Sequence, residues 1–198
     1  MDSQFKQLGR VTSRVGLSVA AVAALGVVTA APASAQDTST TFTVAGDGLA
    51  ITVFPASAPL GSGAPGADIA PAAGIGTFTV TDARSVEPAA WTASVTSTAF
   101  TTPGGGASRT IANSSVDYWS GTCTGTGGNG GGATPTWTGG QANAGAAQDL
   151  SAPRTTCTLA AGAGANTGSW DPHLIVHVPA NAVAGDYSGT VTHSVAAA

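Results

Sequence analysis

Asp171, His173 and His177 are the residues whose types and spacing first suggest chemistry. Two imidazoles four residues apart can share a metal ion on a helix, but Pro172 opposes a helix there. The alternation of Leu174, Val176 and Val178 against His173, Ile175 and His177 indicates a strand instead. On a strand, residues i and i+4 stand about 13 Å apart, so a single ion cannot hold both, and these histidines are expected to be exposed sheet residues. His193 could join one of them only across strands. A Ser-His-Asp set built on Asp171 and His173 lacks a serine in a nucleophile-type turn. Gly121-Thr122-Cys123-Thr124-Gly125 has the letters of a nucleophile elbow, and Gly125-Thr126-Gly127-Gly128-Asn129-Gly130 those of a dinucleotide loop. Neither is followed by a helical pattern whose N-terminus could meet a phosphate or brace a strained nucleophile. No catalysis, metal or cofactor is expected.

Cys123 and Cys157 are the two cysteines of the chain, and both lie in alternating segments. In an exported protein that arrangement predicts a disulfide. The four tryptophans carry a different message. Trp91 alternates with Ala93 and Val95 and reads as core, whereas Trp119 and Trp170 each adjoin an acid or a turn. Trp137 lies between threonines beside the glycine-rich stretch. Trp137 and Trp119 are therefore the candidate ligand contacts, since aromatic rings near polar loops stack on glycans or anchor protein partners.

The elements that must position these residues begin after a leader. Lys6, Arg10 and Arg14 precede an apolar stretch from Val15 to Thr29, and Ala33-Ser34-Ala35 forms an A-x-A cleavage signal. Residues 1–35 are read as a Sec signal peptide, whose apolar core is shorter than the roughly 20 residues of a membrane span. The exported chain keeps three arginines, no lysine and nine acids, a net charge of −6. That balance excludes charge-driven binding to nucleic acid or anionic lipid, and no membrane insertion is expected after cleavage. With only 8% charged residues in the whole chain, solubility must rest on Thr, Ser, Asn, Gln and Gly.

Helix-forming residues are scarce and period-2 alternation recurs. Phe42 and Val44 alternate with threonines, Leu49, Ile51 and Val53 share one face, and Phe78 and Val80 share another. Further strands are expected around Trp91–Val95, at 115–124, 134–138 and 154–160, at 174–178, and from Tyr187 to Val195. Eight or nine short strands between Gly/Pro/Ala loops predict an all-β, antiparallel, immunoglobulin-like β-sandwich. Residues 36–198 are read as a single domain, with an unperiodic surface segment at 55–74 and a flexible Gly-rich loop near 125–149.

Three motifs together resemble a family. Val80-Thr81-Asp82-Ala83-Arg84, then Trp91-Thr92-Ala93-Ser94, then Tyr187-Ser188-Gly189-Thr190-Val191-Thr192-His193-Ser194-Val195 resemble WxL-type surface proteins of Gram-positive bacteria. In that pattern Ala93 stands where a Leu is usual, and His193 and Val195 where a Trp and a Leu are. The resemblance implies an exported β-sandwich held non-covalently by peptidoglycan or another cell-wall polymer, or by a companion surface protein. Asp82, Arg84, Trp91, Tyr187 and His193 are its matched positions and read as fold determinants: Asp82 and Arg84 share a strand face and could pair at the strand end. The leading functional expectation is a secreted, extracellular or cell-wall-associated, non-catalytic binding module. The alternative is a passive or self-assembling extracellular subunit, and a secreted hydrolase comes last.

Overall fold

Thr, Val, Ile and aromatic side chains suit a pleated, half-buried surface, and in the computed structural model most of them lie in strands. The structure describes residues 41–198, so the expected signal peptide and residues 36–40 lie outside the described residues. The strands are β1 (Leu49–Phe54), β2 (Asp68–Ile69), β3 (Thr77–Ser97), β4 (Phe100–Thr101), β5 (Thr110–Ile111) and β6 (Val116–Trp119). They continue with β7 (Thr124–Asn129), β8 (Thr136–Gly139), β9 (Gln148–Asp149), β10 (Arg154–Trp170), β11 (His173–His177) and β12 (Val191–Ala197). All pairings are antiparallel, and the helical elements among the described residues are three short 3₁₀ turns. Eight strands have four residues or more, and four have only two.

Two strands are far longer than the sequence pattern suggests. β3 has 21 residues and β10 has 17, and they pair with each other along most of their length. This ribbon is not straight. Phe78 and Val95 are seventeen positions apart on β3, about 56 Å in an extended strand. Yet the Phe78 ring centre lies 3.7 Å from that of His193, whose β12 position is registered opposite Val95. Likewise Gly168, registered opposite Val80, lies under Trp91, where a Cβ would come within 2.8 Å of the indole. The ribbon therefore doubles back and packs its first half against its second.

The fold-back is written in the burial pattern. Phe78, Val80 and Asp82 point inward, then Arg84 to Pro88 lie outside the core, and Ala89, Trp91, Ala93 and Val95 point inward with the opposite parity. β10 changes parity too, from Cys157 and Leu159 to Asn166, Gly168 and Trp170. An odd number of inserted residues does this; three of the four register shifts between β3 and β10 fall between Leu159 and Asn166, and at the fold-back Ser85 and Ala161 adopt φ of 56° and 57°.

Asp82 and Arg84 hold the turn-over. The Asp82 side chain is fully buried and accepts from Arg84 Nε at 2.8 Å and Nη2 at 2.7 Å, while Nη2 also donates to the Ala90 carbonyl at 2.9 Å. The pair thus sits within the long strand, at its bend, and not at a strand end. The bonds from Arg84 hold the Asp82 carboxyl below the usual carboxylate range, against the opposing effect of burial.

Each half of the ribbon carries its own outer strands. β1 and β7 flank the Phe78 half, while β12 and β8 flank the Trp91 half. β11 and β6 form the centre of a separate four-stranded sheet in the order β2-β11-β6-β9. Its inward residues Val116, Tyr118, Leu174 and Val176 join the same core as Phe78, Trp91, Val95 and Trp170. The result is an all-β antiparallel sandwich.

The Gly-rich segment differs from expectation. It contains β7 and β8, which are separated by a short excursion and run along β10 as one interrupted edge. Glycine is required there because the partner comes close: a Cβ at Gly127 would collide with Asn166 Oδ1. The 55–74 segment gains the two-residue β2, Phe42 and Val44 stay outside any strand, and Tyr187 precedes β12 instead of opening it. The Tyr187 hydroxyl, with one proton to donate, lies within hydrogen-bond reach of the carbonyls of Val183 (2.9 Å) and Ser108 (3.1 Å), so it ties down the loop before the strand.

Cys123 and Cys157 form a disulfide with Cα atoms 5.7 Å apart, at a sequence separation of 34. It fastens the first half of β10 to the chain entering β7, which pairs with the second half, and so crosses the fold-back. Closing a loop of this length restricts the unfolded chain by about 3–4 kcal/mol. The Cys123→Ala/Cys157→Ala variant is expected to lose that amount in urea unfolding, and an unchanged midpoint would count against it.

Arg84→Met leaves the Asp82 carboxylate buried without its partner and is expected to cost about 3–5 kcal/mol. Asp82→Ala/Arg84→Met should be less damaging than Arg84→Met alone. Because the folded pKa of Asp82 is depressed, its contribution is present above the unfolded value of 3.8 and is lost as pH falls through the folded one. Urea titrations of the three proteins at neutral and acid pH check both statements.

Candidate functional site

A sheet with one face in the core presents alternate residues to solvent. On the four-stranded sheet these are Asp117 and Trp119 from β6 and His173, Ile175 and His177 from β11. The register places His173 opposite Trp119, Ile175 opposite Asp117, and Asp68 of β2 opposite His177. Side chains directly across a ladder meet, and here they make two groups.

The first is aromatic. The Trp119 indole and the His173 imidazole lie 4.7 Å apart and within 2° of parallel, both half-buried. The second is ionic. His177 Nδ1 lies 2.7 Å from Asp68 Oδ1, and Nε2 lies 3.0 Å from Asp117 Oδ2. Ionised carboxylates only accept hydrogen bonds, so this geometry asks both ring nitrogens to donate, which is the imidazolium form. The bond to Asp117, then that to Asp68, raises the His177 pKa above its usual 6.5. Beside them, Asp149 of β9 faces Asp117 in the ladder, and Arg154 Nε donates to its carbonyl at 2.7 Å.

On the inner side of the same sheet the chemistry reverses. Tyr118 and His193 are hydrogen-bonded at 3.0 Å, and the His193 ring also packs on Phe78 and near Trp170. Burial without a charged partner lowers the His193 pKa to about 3, so this imidazole is neutral near pH 7. Burial likewise pushes the Tyr118 phenol upward. His193 Nδ1 is enclosed without a hydrogen-bond partner among the described residues.

The three histidines are thus separated by role. His173 is stacked, His177 is bridged through opposite nitrogens, and His193 is inside. Among the described residues no group of three His, Cys, Asp or Glu converges on a common metal position. Asp171 is exposed next to Gly74. The two tryptophans singled out as ligand contacts are not brought together either. Trp119 belongs to the outer sheet face, whereas Trp137 on β8 packs against Gly125 and Gly168 with its N–H enclosed. Trp91 is fully buried, and Trp170 nearly so.

The sequence matches no protein-family model and no curated protein. The likeness to WxL-type proteins therefore rests on the residues quoted for it. Sequence reasoning passed over Asp68 and Asp117, because they lie 109 and 60 residues from His177 and only strand register joins them. Their visible signal was parity alone, which puts Asp117 and His177 on outward positions of their strands.

A histidine with a raised folded pKa stabilises the protein below its unfolded pKa, and that contribution disappears as pH rises through the folded value. His177 is expected to titrate above 6.5 in an NMR pH series. Asp117→Asn should lower that midpoint more than Asp68→Asn does. A midpoint at 6.5 that ignores both substitutions would remove the ionic bridge.

Proposed function

We propose that the exported chain is a non-catalytic, cell-surface-associated binding module that engages cell-wall polymer, or a companion surface protein, through the outer face of the four-stranded sheet. The Trp119–His173 stack carries this reading. Two parallel rings held upright by cross-strand packing present aromatic surface whose ordering is already complete before a ligand arrives, which lowers the entropy lost on binding. Asp117, His177 and Asp68 beside the stack supply hydrogen-bonding groups of the kind that orient a polyhydroxylated chain.

Three further observations support it. The basic and then apolar leader over 1–35 reads as an export signal, the disulfide suits an oxidising compartment, and the motifs around Asp82, Trp91 and Tyr187 resemble those of WxL-type wall proteins. In this fold Trp91 and Ala93 are buried and His193 lies in the aromatic cluster. Those positions serve the sandwich, and contact with a partner falls to other residues. A second reading, a self-assembling extracellular subunit, is favoured by the exposure of Phe42 (90%) and Val44 (73%).

Co-sedimentation of residues 36–198 with purified wall sacculi across a salt series tests the first reading. Retention that persists at high salt is expected. Trp119→Ala should weaken it about tenfold, the loss of roughly 1.4 kcal/mol of stacking. Absence of retention at every salt concentration would reject wall polymer as the ligand.

A further inference from the structure

Among the described residues β1 and β12 each pair with β3 on one side only, so each leaves an open edge there. Between them, Ile51 and Val53 on one side and Val191 and His193 on the other line a cleft of about 490 Å³. Phe78 and Leu174 also line it, which places it against the sandwich core. A second cleft of about 630 Å³ adjoins it and shares Ala58, Leu60, Phe100 and Gly189. It continues along Ile69, Val176 and Val178. Among the described residues that line the two clefts, Asp186 is the sole carboxylate and there is no lysine or arginine.

The described residues also include an exposed apolar segment. Thr41-Phe42-Thr43-Val44 alternates as a strand does, yet Phe42 and Val44 are the two most exposed of these apolar side chains apart from Phe54. The segment cannot drop into its own cleft from where it stands. Asp47 N donates to Ala83 O at 2.6 Å and Ala83 N to Gly48 O at 2.9 Å, which keeps 47–48 in the β1–β3 ladder. Gly46 lies so close to Arg84 O that a Cβ would collide. The residues before it therefore leave past the fold-back of the ribbon, away from the Phe54 end where the clefts lie.

From these observations, and resting on the self-assembly reading above, we infer that Thr41–Ala45 of one copy docks in the paired clefts of a second copy. Phe42 and Val44, about 7 Å apart on one strand face, enter the two adjoining clefts, and the segment's backbone pairs with an open edge. This is strand addition with side-chain pockets. The five residues Thr41–Ala45 reach up to about 16 Å from their anchor at Gly46, enough to lie across a close contact between copies, and from 41 to 46 the chain carries no charge, which matches the nearly uncharged lining. Donor and acceptor are different surfaces, so the contact is head-to-tail and extends into chains unless its rotation closes a ring.

Sedimentation equilibrium of residues 36–198 tests this, alongside Phe42→Asp/Val44→Asp. Both positions are exposed, and an unchanged thermal unfolding curve confirms that the variant folds. The wild-type chain is expected to self-associate, and the variant to do so at least about a hundredfold more weakly, as befits the loss of two buried apolar side chains. A fluorescent peptide of residues 36–46 should bind the variant, whose clefts are empty, and a peptide carrying the same two aspartates should not. Equal association of wild type and variant, or a wild-type peptide that fails to bind, overturns the docking while leaving self-assembly intact. A wild-type chain that stays monomeric at every concentration overturns both.

Discussion

Arg84 binds two points of one strand at once: the Asp82 carboxylate two residues before it and the Ala90 carbonyl six residues after it. A straight strand cannot bring those points to one guanidinium. The bend of β3 and the placement of Arg84 are therefore a single fact. Asp82 is fully buried, and a buried carboxylate is tolerated only with a partner that satisfies its oxygens. Arginine suits this better than lysine would, because its planar fork meets both oxygens and still has a donor left for the carbonyl. Every contact across the sandwich that involves both halves of the ribbon depends on this turn.

The dependents are specific. With the ribbon folded, Phe78 comes over His193, and Gly168 slides under Trp91. His193 then finds itself among Phe78, Tyr118 and Trp170, where only the neutral imidazole is stable. The position that reads as a tryptophan in the WxL-type pattern is filled by a smaller aromatic that adds a polar link to Tyr118. The disulfide lies across the same fold-back, from Cys157 to Cys123. Covalent closure and the Asp82–Arg84 pair constrain the same bend from its two strands, β10 and β3.

The strands that alternate strongly were legible. Leu49–Val53, Phe78–Val80, Trp91–Val95 and Leu174–Val176 announce themselves because their inward residues are large and apolar. What joins them was not legible, for a physical reason. At the fold-back the inward positions are Asp82, Gly162, Asn166 and Gly168, which carry no hydrophobic signal, and a parity switch erases the period on which pattern reading depends. The glycines of 125–130 read as flexibility in one dimension. In three dimensions they make room for Asn166 and Trp137. The outer-face site was half legible: period 2 set His173 and His177 opposite the apolar residues of their strand, but only register pairs Trp119 with His173 and brings Asp68 to His177.

The charge inventory connects the fold to what the surface can do. Beyond residue 35 the sequence has three arginines and no lysine. Arg84 holds the bend, Arg154 grips Asp149 at the start of β10, and Arg109 donates to the Pro103 carbonyl in a loop. Each cation is engaged in holding the fold, which leaves the surface acidic, with His177 enclosed by two of its carboxylates. A surface of that kind gains little from Coulomb attraction to anionic polymers and repels them at low salt. Under the proposed binding function, the contacts have to come from flat aromatic surface, hydrogen bonding and apolar burial. The Trp119–His173 face offers the first two, and the clefts beside β1 and β12 offer the third.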